Sequence, residues 1–356
     1  MQEFFAKHHI KPQKIAVAVS GGADSLALVL MAKEELGVFG YEIVALTVNH
    51  GLRPSAAQEA EYVANIMKQH GIEHHILTWQ GTKPVTNVED TARKARYLLL
   101  TEWCHQHNIG VLLTAHHQND QAETFLIRLA RGSGLDGLCC IREISQNNGI
   151  TILRPLLQTP PQQLRDFLQQ RHIEWVEDES NTDSQYLRNR IRKFLPLLTA
   201  QTGIDAKCLA ETAFRLQSAE EYIEQQLQQA IQADVHFLAG NVAYFKHTLF
   251  LQWPQEIRFR LIAELCRQTY IPRAESVLNV IAAIAKLPFK GQTLGGKEIF
   301  CAYKNIWIVP ELCAKRKASR DAWKNFIENH KQYAFLKIPH KARIAILESE
   351  EKNLDL

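Results

Sequence analysis

Residues 20–25 read Ser-Gly-Gly-Ala-Asp-Ser and lie between two apolar runs, "AVAV" before and "LALVL" after. Backbone N–H groups around Gly21 and Gly22, with the hydroxyls of Ser20 and Ser25, can ring an anion. A helix starting near Asp24 would aim its positive end at the same point. The lysine of a Walker A loop and the G-x-G-x-x-G of a dinucleotide fold are both missing. Ala23 and Asp24 complete the loop. A carboxylate beside a phosphate repels it unless a cation intervenes, so Asp24 suggests Mg²⁺ held between it and phosphates. Simple capping of the helix by Asp24 is compatible with that role, and a glycine turn that binds nothing is the plainer alternative.

A second set, His116, Asp120 and Glu123, has the spacing i, i+4, i+7 and so shares one helix face. Three readings stay open. Two carboxylates can hold a cationic amine; His and carboxylates at helical spacing also suit Zn²⁺ or Mn²⁺; and a solvated face with a capping residue needs no ligand. If an amine is held as ammonium, a base must take its proton before it attacks, and His116 is the nearby group that ordinarily titrates close to neutrality. A third set, Arg188, Arg190, Arg192 and Lys193, puts four cations within six residues. Arg188 and Arg192 share a helix face and Arg190 points elsewhere; taken alone, such a run is also what an exposed basic helix looks like.

These residues need a scaffold, and the first half of the chain supplies alternating strands and helices. Strands are expected at 14–20, 41–50, 74–79, 111–116 and 150–157, with helices at 24–36, 55–70, 87–107 and 119–131 between the first four and after them. The helix from Asn87 carries Glu89 and Asp90 near its start, as a helix N-terminus favours. Alternation of this kind implies right-handed crossovers: an α/β fold with an open parallel sheet and helices on both faces. After Pro196 the composition changes: a Gln- and Glu-rich helical stretch at 205–235, two amphipathic stretches within 254–286 broken at Pro272, and a hairpin-like segment at 291–311. The expected organisation is a catalytic domain at 1–196, a smaller α+β domain at 205–312, and a tail or reduced third domain at 313–356.

A chain of 356 residues is long enough for this. No stretch approaches the roughly 18 apolar residues of a membrane span, and the first residues lack the apolar core of a signal peptide, so a cytoplasmic protein is expected. The seven cysteines include no C-x-x-C, which gives no support to zinc-ribbon, iron–sulfur or thioredoxin-like chemistry. A net charge of +3 permits a nucleic-acid partner without requiring one.

The loop "SGGADS" resembles the S-G-G-x-D-S loop of the PP-loop ATP pyrophosphatases, which cleave ATP between its α and β phosphates. "VNHGLR" (48–53), "TARKARYLLL" (91–100), "TAHHQNDQAETFLIRLARGSGLDGL" (114–138) and "EDESNTDSQYLRNRIRKFLP" (177–196) together resemble the tRNA(Ile)-lysidine synthetases. "QTLGG" and "IWIVPE" resemble that family's C-terminal substrate-binding domain. One departure is Asn119, where the family usually has the first Asp of D-D-Q; Asp120 keeps the second. The resemblance implies ATP and Mg²⁺, an isoleucine tRNA with a CAU anticodon and free L-lysine; the composition adds no membrane partner, and a homodimer is left open. It implies that ATP adenylates the 2-carbonyl oxygen of the wobble cytidine and that lysine's ε-amine then displaces AMP. By the same resemblance, Ser20 to Ser25 bind ATP, Asp120, Glu123 and Arg96 bind lysine, and Arg188 lies near the α-phosphate. Arg190, Arg192 and Lys193 are then expected to contact the tRNA backbone. A PP-loop tRNA sulfur transferase and a regulatory protein that binds ATP without cleaving it are the alternatives.

Overall fold

A computed structural model describes residues 1–51, 56–80, 88–177, 187–286, 288–311, 320–333 and 336–354, and their contacts divide into two units, Met1–Glu220 and Glu221–Leu356. Three parts of the sequence reading, namely the polar segment 178–183, the helix start at Ser55 and Asn87, and the Leu52 and Arg53 end of the second motif, lie outside the described residues.

The first unit begins with α1 (Gln2–Lys7) and then alternates as expected: β1 (Lys14–Ala18), α2 (Ala23–Gly37), β2 (Glu42–Asn49), α3 (Ala56–Gln69), β3 (Glu73–Thr78), α4 (Val88–Gln106), β4 (Val111–Leu113) and α5 (Gln118–Ala130). There follow α6 (Leu135–Leu138), β5 (Ile144–Asn147), β6 (Ile150–Leu153), α7 (Pro161–Gln169), α8 (Leu187–Thr202) and α9 (Ala206–Asp234), within which the division between units falls. The sheet order is β3-β2-β1-β4-β6-β5, with β5 alone antiparallel to its neighbour. This is the open α/β sheet the alternation predicts.

Alternation along β1 assigns its two faces. Ile15 and Val17 enter one core with Leu26, Leu30, Val63, Met67, Leu164 and Leu168, from α2, α3 and α7. Ala16 enters the other with Leu46, Leu100, Trp103 and Cys104, largely from α4. Strands covered on both faces read as continuous apolar runs, which is why β1 and β2 are plain in the sequence. Edge strand β5 was not expected. It joins β6 through Asn148 and Gly149, both with positive φ (46° and 75°), as a two-residue hairpin turn requires.

The second unit holds β7 (His236–Leu238), β8 (Val242–Lys246), α10 (His247–Gln252), α11 (Gln255–Leu265), α12 (Ala274–Ile284), β9 (Gln292–Leu294), β10 (Lys297–Ala302), β11 (Asn305–Pro310), α13 (Arg320–Asn329) and α14 (His340–Leu354). Its antiparallel sheet has the order β7-β8-β11-β10-β9. On β11, Ile306 and Ile308 face a core with residues of α11 and α12, while Trp307 and Val309 face one with Trp323, Phe326, Ala342 and Ile346. The described part of the tail therefore covers the second face of this sheet. Pro196, the expected end of the first domain, lies inside α8, which continues to Thr202.

Candidate functional site

Strand β1 has β2 on one side and β4 on the other, with successive connections leaving in opposite directions. Loops at the carboxyl ends of two such strands diverge and leave a crevice. The segment 20–25 follows β1 and His116 to Glu123 follows β4, so both predicted sets meet there.

Gly21 has φ +88°, a conformation that L side chains rarely adopt, and a Cβ there would approach Val63 Cγ2 to 3.2 Å. Val176 closes over the loop, its N–H donating to Gly21 O at 3.0 Å. Gly22 caps α2, leaving the first-turn N–H groups of Ala23, Asp24 and Ser25 without carbonyl partners inside the helix. The buried Ser25 hydroxyl accepts from Ser20 N–H at 3.0 Å and donates to Gly22 O at 3.0 Å. Ser25 therefore braces the loop's backbone. The Asp24 carboxylate remains 39% exposed, with His117 Nε2 at 3.4 Å.

His117 is the residue that spacing missed. It caps α5: Nδ1 accepts from Asn119 N–H at 3.2 Å, and Asp120 in return accepts from His117 N–H at 2.9 Å. An Nδ1 that accepts carries no proton, so Nε2–H faces Asp24 and, at 3.6 Å, Asp120. Burial disfavours the charged imidazole, yet the Asp24 contact and the charges of Asp120, Asp24 and Glu123 outweigh it and raise its pKa. A capping box led by histidine in place of Ser or Thr was the missed signal.

From α8, Arg188 and Arg192 reach the same place. Arg188 Nη2 donates to Asp120 Oδ1 and its Nε to Glu123 Oε2, both at 2.6 Å, while Arg192 Nε donates to Glu123 Oε1 at 2.7 Å. The next turn brings Leu195 against Ala122 and Phe125 of α5, which fixes this face of α8. Glu123 is 1% exposed. That removes the solvated-face reading, and no group of three or more His, Cys, Asp or Glu able to hold a metal exists among the described residues. Three carboxylates, Asp24, Asp120 and Glu123, thus stand against two guanidiniums, which explains the pull toward a proton on His117. Burial opposes charge on Asp120, but His117, Arg188, His116 and the His117 N–H hold its carboxyl below the usual range.

His116, expected as a base, is buried instead. Burial, with Asp120 opposing and Arg154, Arg93 and Arg188 reinforcing, pushes its imidazole down to about 3, and its Nδ1 lies 3.1 Å from Thr114 Oγ1. His116 is neutral near pH 7 and a weak base. Arg96 places its guanidinium 5.9 Å from the Tyr97 ring, with burial lowering its pKa. Arg190 and Lys193 are exposed, whereas Arg192 faces Glu123. Arg154, unremarked in the sequence, is 8% exposed at the end of β6.

Residues 1–198 match the family model of the PP-loop domain. A tRNA(Ile)-lysidine synthase of Wolbachia pipientis wMel is 37% identical over 84% of this chain and 70% of its own length. Another from Bradyrhizobium diazoefficiens is 33% identical over 90% and 95%, and one from Zymomonas mobilis is 40% identical over 70% and 74%. Among solved structures, a U34-tRNA thiolase of Methanococcus maripaludis aligns with a TM-score of 0.51 at 16% identity, over 58% of this chain and 73% of that one, a likeness of fold alone.

Proposed function

Because the chain belongs to the tRNA(Ile)-lysidine synthase family, we propose that it joins free lysine to the wobble cytidine of an isoleucine tRNA with a CAU anticodon. ATP is consumed to AMP and pyrophosphate. The observation that carries this reading is the unbroken line of charged contacts from Asp24 in the first turn of α2, through His117 and Asp120, to Arg188, Glu123 and Arg192. A nucleotide loop and an acid pair that share one network suit two steps on one substrate.

In the first step the cytidine 2-carbonyl oxygen attacks the α-phosphorus and pyrophosphate leaves. The free N–H groups of Ala23, Asp24 and Ser25 and the α2 dipole bind the leaving pyrophosphate. Mg²⁺ fits Asp24, a half-exposed single carboxylate, because this ion takes most of its ligands from phosphate and water; when bound it would offset phosphate charge. Arg188 turns to the α-phosphate and stabilises the charge that develops there. In the second step lysine's ε-ammonium gives one proton to the carboxylate that holds it, the freed amine attacks the cytidine C2, the C–O bond to the adenylate breaks, and AMP leaves. Arg188, once drawn to phosphate, uncovers Asp120 and Glu123 for the ammonium. Neutral His116 serves as a hydrogen-bonding wall of this pocket, Arg96 lies near lysine and nucleotide, and exposed Arg190 and Lys193 meet tRNA phosphates.

The absence of C-x-x-C from the sequence counts against sulfur transfer. Pyrophosphate release separates the remaining readings. With ATP, Mg²⁺ and the tRNA it should appear, at most about once per enzyme-bound tRNA, and become catalytic on adding lysine. No release under any of these conditions would leave only a nucleotide binder.

A further inference from the structure

A cavity of about 500 Å³ opens between α4 and the β5–β6 hairpin, with Arg93, Lys94, Tyr97, Ser145 and Arg154 in its wall. Its cations are not equivalent. Lys94 is tied to Asp90 at 2.6 Å, whereas Arg93 is exposed. Arg154 is more than nine-tenths buried: one terminal nitrogen donates to Arg142 O at 2.8 Å and Ser145 Oγ at 3.0 Å, Tyr97 also bonds the guanidinium, and its Nε has no hydrogen-bond partner among the described residues. A buried guanidinium with an unmet donor and, among the described residues, no carboxylate bonded to it favours an anion. Arg154 and His116 leave neighbouring strand ends: Thr114, two residues before His116, donates its N–H at 3.0 Å to the carbonyl of Leu153, the residue before Arg154. Asp120 and Glu123 follow His116 on α5, so the cavity's buried cation and the acid pair stand at adjacent strand ends.

We infer that this cavity receives the α-carboxylate of the amino-acid substrate, held by Arg154 and Arg93, while the ε-ammonium lies across His116 at Asp120 and Glu123. The inference rests on the reading above. A free amino acid ends in a carboxylate and carries its amine four methylenes further along, so it offers one charge to each side. A phosphate within an RNA chain is a poorer fit, because its two flanking sugars would have to follow it to a nearly buried arginine.

Substrate analogues test this on the intact protein, where no variant has to fold. With saturating ATP and tRNA, the KM for lysinamide and for cadaverine, which lack the carboxylate, should exceed that for lysine by roughly ten- to a hundredfold. Arg93→Gln should raise the KM for lysine and shrink its advantage over cadaverine. Equal use of lysine and cadaverine by the unaltered protein would overturn the inference. So would an Arg93→Gln variant whose KM rises for tRNA and stays fixed for lysine, since the cavity would then bind RNA. Lack of pyrophosphate release from ATP and tRNA before any amine is added would defeat the proposed function itself, a different failure.

Discussion

Asp24 and Glu123 belong to one charged network, Asp24 at its exposed end and Glu123 buried between two arginines, and should fail differently. Asp24 is 39% exposed and supports no core, so Asp24→Asn should abolish pyrophosphate release and leave the thermal midpoint within a degree or two. Unchanged turnover at saturating Mg²⁺ would reduce Asp24 to a helix cap. Glu123 is buried beneath two guanidiniums. Glu123→Gln should therefore lower stability by about 1–3 kcal/mol and also raise the KM for lysine roughly tenfold or more, with the ATP constant little changed. Parallel loss of both steps would point to a phosphate role for α5. A third residue reports on pH. Burial, with the nearby charge of His75, pushes His74 from 6.5 down to about 4, beside Thr47 Oγ1 at 2.8 Å. Between these two values the unfolded chain binds a proton that folded His74 refuses, so stability falls as pH drops from 6.5 toward 4. Urea midpoints should show that slope flattened in His74→Gln; an identical slope would show that His74 carries none of it.

At the scale of elements, α5 depends on an unusual cap. His117→Ala should cost about 1 kcal/mol, whereas His117→Asn should keep most of the cap while removing the contact to Asp24. Denaturation of the two variants, compared with the unaltered chain, measures the difference; equal losses would mean that the cap is not what matters. The same elements show what a sequence discloses. β1 and β2, buried on both faces, announce themselves as apolar runs, and α5 carries its chemistry at i, i+4, i+7. β5 is short and lies at an edge, so its own residues say little, and the Asn148-Gly149 turn was its one clear signal. Pro196 read as a boundary because proline in a helix interior costs about 3 kcal/mol, yet α8 continues past it with Leu195 anchored against α5. His116 looked suited to proton transfer because its ordinary pKa is near neutral; burial is a tertiary property that spacing does not carry. That Arg188 and Arg192 share a face was legible, but that Glu123 lies between them was not.

Across the molecule, the first unit extends beyond the point where the composition changes. Leu209 and Ala213 of α9 enter the α5 core, Gln217 donates to Ile141 O at 3.0 Å, and Arg142 pairs with Glu220 at 2.5 Å. A fragment 1–220 should bind ATP and unfold cooperatively, while a fragment 1–196, stripped of that helix, should be several kcal/mol less stable or aggregate. Comparable melting of the two would show that α9 adds nothing to the first unit. The most direct test of the whole reading is the mass of the wobble nucleoside, taken from isoleucine tRNA incubated with the full chain, ATP, Mg²⁺ and isotope-labelled lysine. A cytidine heavier by one labelled lysine less one water is the result expected. An unmodified cytidine, or one that has gained sulfur, would contradict it.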